Sequence, residues 1–269
     1  MPRPRTYKTE AIVLKAARLG EADRLLTMFT PSLGKVRAVA RGALRPKSKL
    51  AGHLEPFTRA SLMLAQGRTL DVVAGAQALE AFPTLRADLE RTGLAFYLAE
   101  LVDRFTAEGQ ESYPIYALLL EALGWLDKAQ KVGLARPAFE LQVLRLSGHG
   151  PQLSHCLKCR AEIKGAAAFS SASGGALCPI CERDAPDARP LSIAARRAMV
   201  YLQGSAFSRG ARVKVPTAVE REMEGLLQGY IAYVLEQSVK SAIFLERLRR
   251  EDVSAAAAPN SRPYPEGPA

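Results

Sequence analysis

The 269-residue chain has no apolar run approaching the roughly 18–20 residues that a bilayer span requires. The basic opening segment MPRPRTYKTE has no apolar stretch behind it, so no secretory signal is visible. A bacterial-type cytoplasmic protein is the expectation. No G-x-x-x-x-G-K-[ST] occurs; Gly34-Lys35 is followed by Val36, which removes a Walker-type nucleotide pocket. H-E-x-x-H and G-x-S-x-G are also missing. His53, His149 and His155 have the spacing of neither a metal set nor a catalytic triad. Aromatic residues make up only 7% of the chain, with a single tryptophan. Cysteine is confined to four positions between 156 and 181.

The charge that is present is placed unevenly. The chain carries a formal +10. Residues 1–60 hold 13 Lys/Arg against 4 Asp/Glu, a balance of +9, while the rest is close to neutral. A basic module on a neutral body is the footprint of a polyanion binder. A solvated basic face without a ligand would look the same. A membrane surface fits less well, because this region alternates like strands and shows no basic amphipathic helix.

Five short strands are predicted in the first 80 residues: Tyr7 to Lys15, Leu25 to Thr30, Lys35 to Arg41, Phe57 to Leu64 and Leu70 to Ala74. The third alternates, with Val36, Ala38 and Ala40 on one face and Lys35, Arg37 and Arg41 on the other. Gly42 to His53 reads as a mobile basic loop carrying Arg45, Lys47 and Lys49. Five strands of this length suit a small closed barrel, of which the OB-fold is the best-known oligonucleotide binder. An SH3-like barrel would read much the same. Only Tyr7, Phe29 and Phe57 supply aromatics here, and some must be core, so little base stacking is expected. Glu21 and Asp23 flank a turn. They are weighed as a metal-dependent nuclease pair against local caps, and the cap is favoured.

From Pro83 the apolar spacing becomes helical. Leu94, Leu98, Leu101 and Phe105 form one stripe; Ile115, Leu119, Leu123 and Leu126 a second; Phe139, Val143 and Leu146 a third. Ser192 is placed as the cap of a helix through Leu202, and Thr217 with Glu220 as a capping box for a long helix. The expected class is therefore α+β. An N-terminal barrel over residues 1–80 precedes a helical domain over 81–253, with an insertion at about 154–186. The proline- and alanine-rich stretch 254–269 is expected to be a disordered tail.

The insertion reads Cys156-x2-Cys159-x18-Cys178-x2-Cys181, a zinc-site spacing. Each two-residue gap lets a tight turn aim two thiolates at one ion, and two turns complete a tetrahedron with no open position. One structural Zn2+ is the expectation; two redox-active pairs or two disulfides are the alternatives.

The segments Gly20-Glu-Ala-Asp-Arg24, Gly34-Lys-Val-Arg-Ala-Val-Ala-Arg-Gly42 and Arg45-Pro-Lys-Ser-Lys49, with the downstream cysteine pairs, resemble the bacterial DNA repair protein RecO family over roughly residues 7–250. The resemblance implies an OB-fold, a helical domain and a zinc site on Cys156, Cys159, Cys178 and Cys181. It implies a recombination mediator and no covalent catalysis. Such a mediator binds single- and double-stranded DNA and anneals strands coated with single-strand-binding protein (SSB). It pairs with RecR and the SSB C-terminal tail, and with RecF helps load RecA. Localisation would be cytoplasmic, in association with the nucleoid. The family's basic surface maps onto Arg24, Lys35, Arg37, Arg41, Arg45, Lys47 and Lys49. Arg196 and Arg197, early on a helix, and Arg209, Arg212 and Lys214, in a short loop, are candidates to extend the path. A zinc-containing nuclease, and an OB-plus-zinc-ribbon adaptor acting on RNA or the transcription machinery, are the competing readings.

Overall fold

The computed structural model describes residues 6–237, 239–242, 244 and 245. The stretch assigned above to a tail lies outside the described residues.

The first 80 residues close into a five-stranded barrel of order β1-β2-β3-β5-β4, the topology of an OB-fold. The strands are β1 (Thr6–Leu19), β2 (Asp23–Thr30), β3 (Gly34–Ala40), β4 (Arg59–Ala65) and β5 (Asp71–Glu80). β1 is long enough to serve two neighbours. Its first half pairs with β4 through Ile12, and its second half pairs with β2 as far as Leu19. An irregularity between Val13 and Lys15 bends it at the hand-over. Closure comes from a short parallel contact, Ala38 with Asp71 and Val39 with Val72.

Period-2 alternation fills this barrel. Ala11, Val13, Leu26, Met28, Ala38, Ala40, Leu62 and Leu64 point inward and are buried. Their partners in the alternation are also apolar where the barrel meets the helices. Ile12, Leu14 and Phe29 join Phe57, Leu94, Leu98 and Leu101 in the helical core. The barrel therefore keeps its own interior while one outer face is buried in the helical core. Fully burying a side chain such as Phe29 contributes about 1.5–3 kcal/mol, and polar clasps reinforce the joint. Arg86 donates to the Pro56 carbonyl and the Thr58 hydroxyl. Gly34, at φ +63°, brings the start of β3 against Gln110, where a Cβ would lie 2.0 Å from the carbonyl oxygen.

The helical body runs α1 (Pro83–Ala87), α2 (Leu89–Phe105), α3 (Tyr113–Lys128), α4 (Ala135–Leu146), α5 (Ile193–Gly204), α6 (Phe207–Ala211) and α7 (Thr217–Val234). Asp88 caps α2 by accepting the Arg91 N–H, and Ser192 caps α5 by accepting the Ala195 N–H. Thr217, expected as the cap, is already helical: Pro216 is the N-cap and makes no side-chain bond. Proline's fixed φ starts the helix there without needing a hydroxyl.

α4 lies at the centre, buried from Ala135 to Leu144. It carries two charges inside. The Arg136 and Glu140 side chains pair at 2.9 Å, and the Tyr97 hydroxyl donates to Glu140. Between α4 and α5 the chain inserts a small sheet, ordered β7 (Gly175–Leu177), β6 (Ala167–Ser170), β8 (Arg189–Leu191). Phe169 of this sheet meets the Tyr230 ring of α7 edge-on at 5.5 Å. The insertion is thus held to the body at its base.

Candidate nucleic-acid interface and metal centre

The loop Gly42 to His53, expected to be mobile, is instead knitted down. The Asp23 carboxylate accepts the Gly42 N–H at 2.7 Å, and the Leu44 N–H donates to the Ala22 carbonyl. Turn bonds close from Arg45 to Gly42 and from Ser48 to Arg45. Ala43 and Leu54 plug into the barrel core. Gly42, at φ +64°, makes the reversal that a β-carbon would strain. Asp23 is therefore a local cap, as the sequence favoured, and it holds a basic loop in shape.

The seven barrel cations divide into two groups. Arg41, Arg45, Lys47 and Lys49 are exposed, and none forms an ion pair among the described residues. Arg24, Lys35 and Arg37 are engaged. Lys35 is the clearest correction: its ammonium bonds both the carboxylate and the carbonyl of Asp103 on α2, and its side chain is only 13% exposed. It ties barrel to helices and is not free for a phosphate. Arg24 pairs with Glu55 at 2.7 Å. Arg37 stands 3.8 Å from Glu108 but remains 43% exposed, so it is loosely held. The aromatics divide likewise. Phe29 and Phe57 are core, and only Tyr7 is partly open, with its hydroxyl donating to Asp71.

The candidate extension separates too. Arg196 is buried, one guanidinium nitrogen donating to the Leu153 carbonyl at 3.3 Å. It braces the insertion and is not available to a ligand. Arg197, one residue on, is exposed. Arg209 lies on α6 and not in a loop. Arg212 stacks over the Trp125 ring at 5.2 Å. Arg212 and Lys214 join Lys128 and Lys131 around a cleft of about 600 Å³ floored by Trp125. Glu121, its one carboxylate, accepts the Ser208 N–H. A groove with a cationic rim in the helical domain fits the sequence reading, which named Arg212 and Lys214 but could not choose the residues that line it. The signal was there in the lone tryptophan beside Lys128 and Lys131, but only the fold brings α6 across to meet them.

The four cysteine sulfurs converge, all within 4.8 Å of one another, and all four cysteines are free of disulfides. Cys159 and Cys178, from different knuckles, stand 3.7 Å apart. Sulfurs bound at about 2.3 Å around a tetrahedral ion are separated by about 3.8 Å, so the donor set fits such an ion. The electrostatics agree. Against the effect of burial, knuckle N–H groups pull the Cys156 thiol down to about 6. Burial and the neighbouring sulfurs push Cys181 up to about 12. Four thiols this close cannot all ionise without a cation among them. His155 is exposed and outside the cluster, its backbone forming an isolated antiparallel bridge with that of Glu162.

A closed OB barrel with a knitted basic loop, fused to a helical body bearing a four-thiol centre, defines the class as an OB-fold protein with a helical C-terminal part. Comparison with known families narrows this. Residues 3–82 match the family described as Recombination protein O N terminal, and residues 86–243 match Recombination protein O C terminal. The chain is 42% identical over 249 residues to the DNA repair protein RecO of Roseiflexus sp. (strain RS-1), covering 92% of this chain and 88% of that protein. It is 42% identical over 242 residues to the DNA repair protein RecO of Desulforudis audaxviator (strain MP104C), covering 90% and 97%. With the homologue from Dehalococcoides mccartyi (strain ATCC BAA-2266 / KCTC 15142 / 195) the identity is 34%, over 94% of this chain and all of that one. The chain belongs to the RecO family of DNA repair proteins.

Proposed function

We propose that this protein is a recombination mediator that binds single- and double-stranded DNA and anneals complementary strands coated with SSB. The observation that carries the reading is the group of four unpaired cations, Arg41, Arg45, Lys47 and Lys49, on a loop whose backbone is fixed. Two DNA strands repel. A surface that neutralises phosphates on both lowers that barrier and raises their local concentration, with no bond made or broken. The buried Phe29 and Phe57 leave little to stack on a base, so binding is backbone-driven and weakly sequence-selective.

The four-thiol centre takes one structural Zn2+. Lys158 and Asp184 pair across the two knuckles, so the module's charges are largely spent among themselves. The cleft at Trp125 suits the C-terminal tail of SSB, whose terminal carboxylate would meet the rim of Lys128, Lys131, Arg212 and Lys214. RecR, and through it RecF and RecA, complete the pathway in the cytoplasm, at the nucleoid.

The test is competition for a labelled single-stranded oligonucleotide. Unlabelled DNA single strands and duplex should both compete, with weak dependence on base sequence. Preferential displacement by matched RNA would instead favour the adaptor reading. Divalent-metal-dependent cleavage of the probe, lost on Asp23→Asn, would favour a nuclease.

A further inference from the structure

The second half of β1 has a partner on only one side. Lys15 to Leu19 pair with β2, whereas pairing with β4 stops at Ile12. The last bonds on that side are those of Val13 with Phe57 and Thr58. Beyond them, no backbone partner meets the outer edge of residues 15–18 among the described residues. Along this edge run two depressions that share Ala16 and Pro56. Together they form one trough. At its α2 end the floor is apolar: Leu14, Pro56, Phe96, Ala99 and Phe244. Phe96 is 43% and Phe244 45% exposed, although both are large and apolar.

Charge narrows what can lie there. The acids beside the apolar end are spent. Glu100 accepts the N–H groups of Lys240 and Ser241 and the Ser241 hydroxyl, and pairs with Arg104. Asp103 is held by Lys35. Glu55, further along, is held by Arg24. Lys15 and Lys240 are exposed and make no ion pair among the described residues. Arg18 hooks back only onto the carbonyls of Gly20 and Glu21. Glu21, beyond Arg18, is the one remaining carboxylate. A second copy of the chain is a poor occupant, since pairing two such edges sets Lys15 and Arg18 against their like.

We propose that this trough docks an extended acidic–apolar segment of a partner protein, added to the barrel as a further strand along β1. Main-chain hydrogen bonds to residues 15–18 would supply register. An apolar side chain would fill the Phe96–Phe244 end, and flanking carboxylates would meet Lys15, Arg18 and Lys240. The trough borders the basic loop at Leu44, takes none of that loop's four exposed cations, and shares no residue with the Trp125 cleft.

The probe is a fluorescein-labelled, N-acetylated and C-amidated heptapeptide that alternates glutamate and valine around a central phenylalanine. Anisotropy should show saturable binding. It should weaken about tenfold or more for the Lys15→Glu/Arg18→Glu protein and for Phe96→Ser, with circular dichroism confirming unchanged folding. N-methylation of alternate peptide nitrogens should abolish binding, because it removes the ladder bonds. Amide exchange at residues 15–18 should slow when the probe is bound. The Arg41→Ala/Lys47→Ala/Lys49→Ala protein should bind the peptide normally, so loss of DNA binding and loss of docking are read separately. No saturable binding, equal binding of the lysine-for-glutamate peptide, or indifference to N-methylation would each overturn the proposal. So would displacement of the peptide from the triple-alanine protein by a single-stranded oligonucleotide, which would assign the trough to nucleic acid.

Discussion

Replacing Arg41, Arg45, Lys47 and Lys49 together with alanine should change the salt dependence of DNA binding by a calculable amount. All four are exposed and make no ion pair among the described residues, so their removal costs little stability. Each phosphate contact on single strands contributes about −0.7 to the slope of log K against log[salt]. If all four touch phosphate, the slope becomes shallower by about 3 on single strands and by somewhat more on duplex. Between 50 and 200 mM salt the variant's affinity should then fall about fiftyfold less than the parent's. The informative control is Lys35→Ala. Lys35 is anchored to Asp103, so its loss should leave the slope unchanged while loosening the barrel against α2. Fluorescence anisotropy with a 30-mer across a salt series measures both. A parent-like slope in the quadruple variant, or a slope change of about one unit in Lys35→Ala, would refute the division of cations that the structure makes.

Removing the metal should lower the melting temperature. Structural zinc contributes on the order of 10–16 kcal/mol in isolated peptides, so even a fraction of that should shift Tm by about 10 °C or more for a chain of this size; Cys159→Ser should do the same, and an unchanged melt after chelation would contradict a structural role. Trp125→Ala should weaken binding of the SSB C-terminal peptide by about thirtyfold, as expected for truncating an aromatic hot spot, and Arg212→Ala should weaken it less; calorimetry with the peptide measures both. Glu140→Ala removes the closest carboxylate from the buried Arg136 guanidinium and leaves Glu224 as the other acid acting on it, which should cost up to about 3–5 kcal/mol in urea unfolding; the double substitution Arg136→Met/Glu140→Leu, which removes both charges and keeps the volume apolar, should recover most of it. Burial raises the Glu100 carboxyl, but the Ser241 hydroxyl, the N–H groups of Ser241 and Lys240, and Arg104 outweigh it and hold the group below its ordinary value. Its contribution is therefore complete above the ordinary carboxylate range and is lost as pH falls through the depressed value; amide exchange at Lys240 and Ser241 should accelerate over that acid interval, and Glu100→Gln should remove the pH dependence.

Local pattern carried much of this fold. Alternation over Val36, Ala38 and Ala40 placed β3, and the stripes at Leu94 to Phe105 and Ile115 to Leu126 placed α2 and α3, because these periods follow from local geometry. The metal centre was legible for the same reason: each C-x2-C knuckle is a local turn, and a metal site needs only two. What pattern could not show is which cations are already spent. Lys35 alternates outward with Arg37, but Asp103, its partner, lies 68 residues away. Arg196 falls beside Ala195 and one turn before Met199, so the buried face of α5 includes it. A helical projection would have flagged that position, although not the Leu153 carbonyl that receives it. Shared burial of Ile12, Leu14 and Phe29 with the helices was equally invisible, because an outward apolar face reads the same whether water or a helix covers it. The Trp125 cleft and the trough beside β1 needed elements distant in sequence to come together.

Whether the fixed basic loop brings two strands together without chemistry is tested most directly by strand annealing. Two complementary oligonucleotides, each pre-coated with the cognate SSB, should be mixed without ATP, with and without this protein, at several salt concentrations. Annealing should accelerate, the acceleration should decline steeply with salt, and the quadruple loop variant should lose it. Unaccelerated annealing while DNA binding stays intact would contradict this role of the loop.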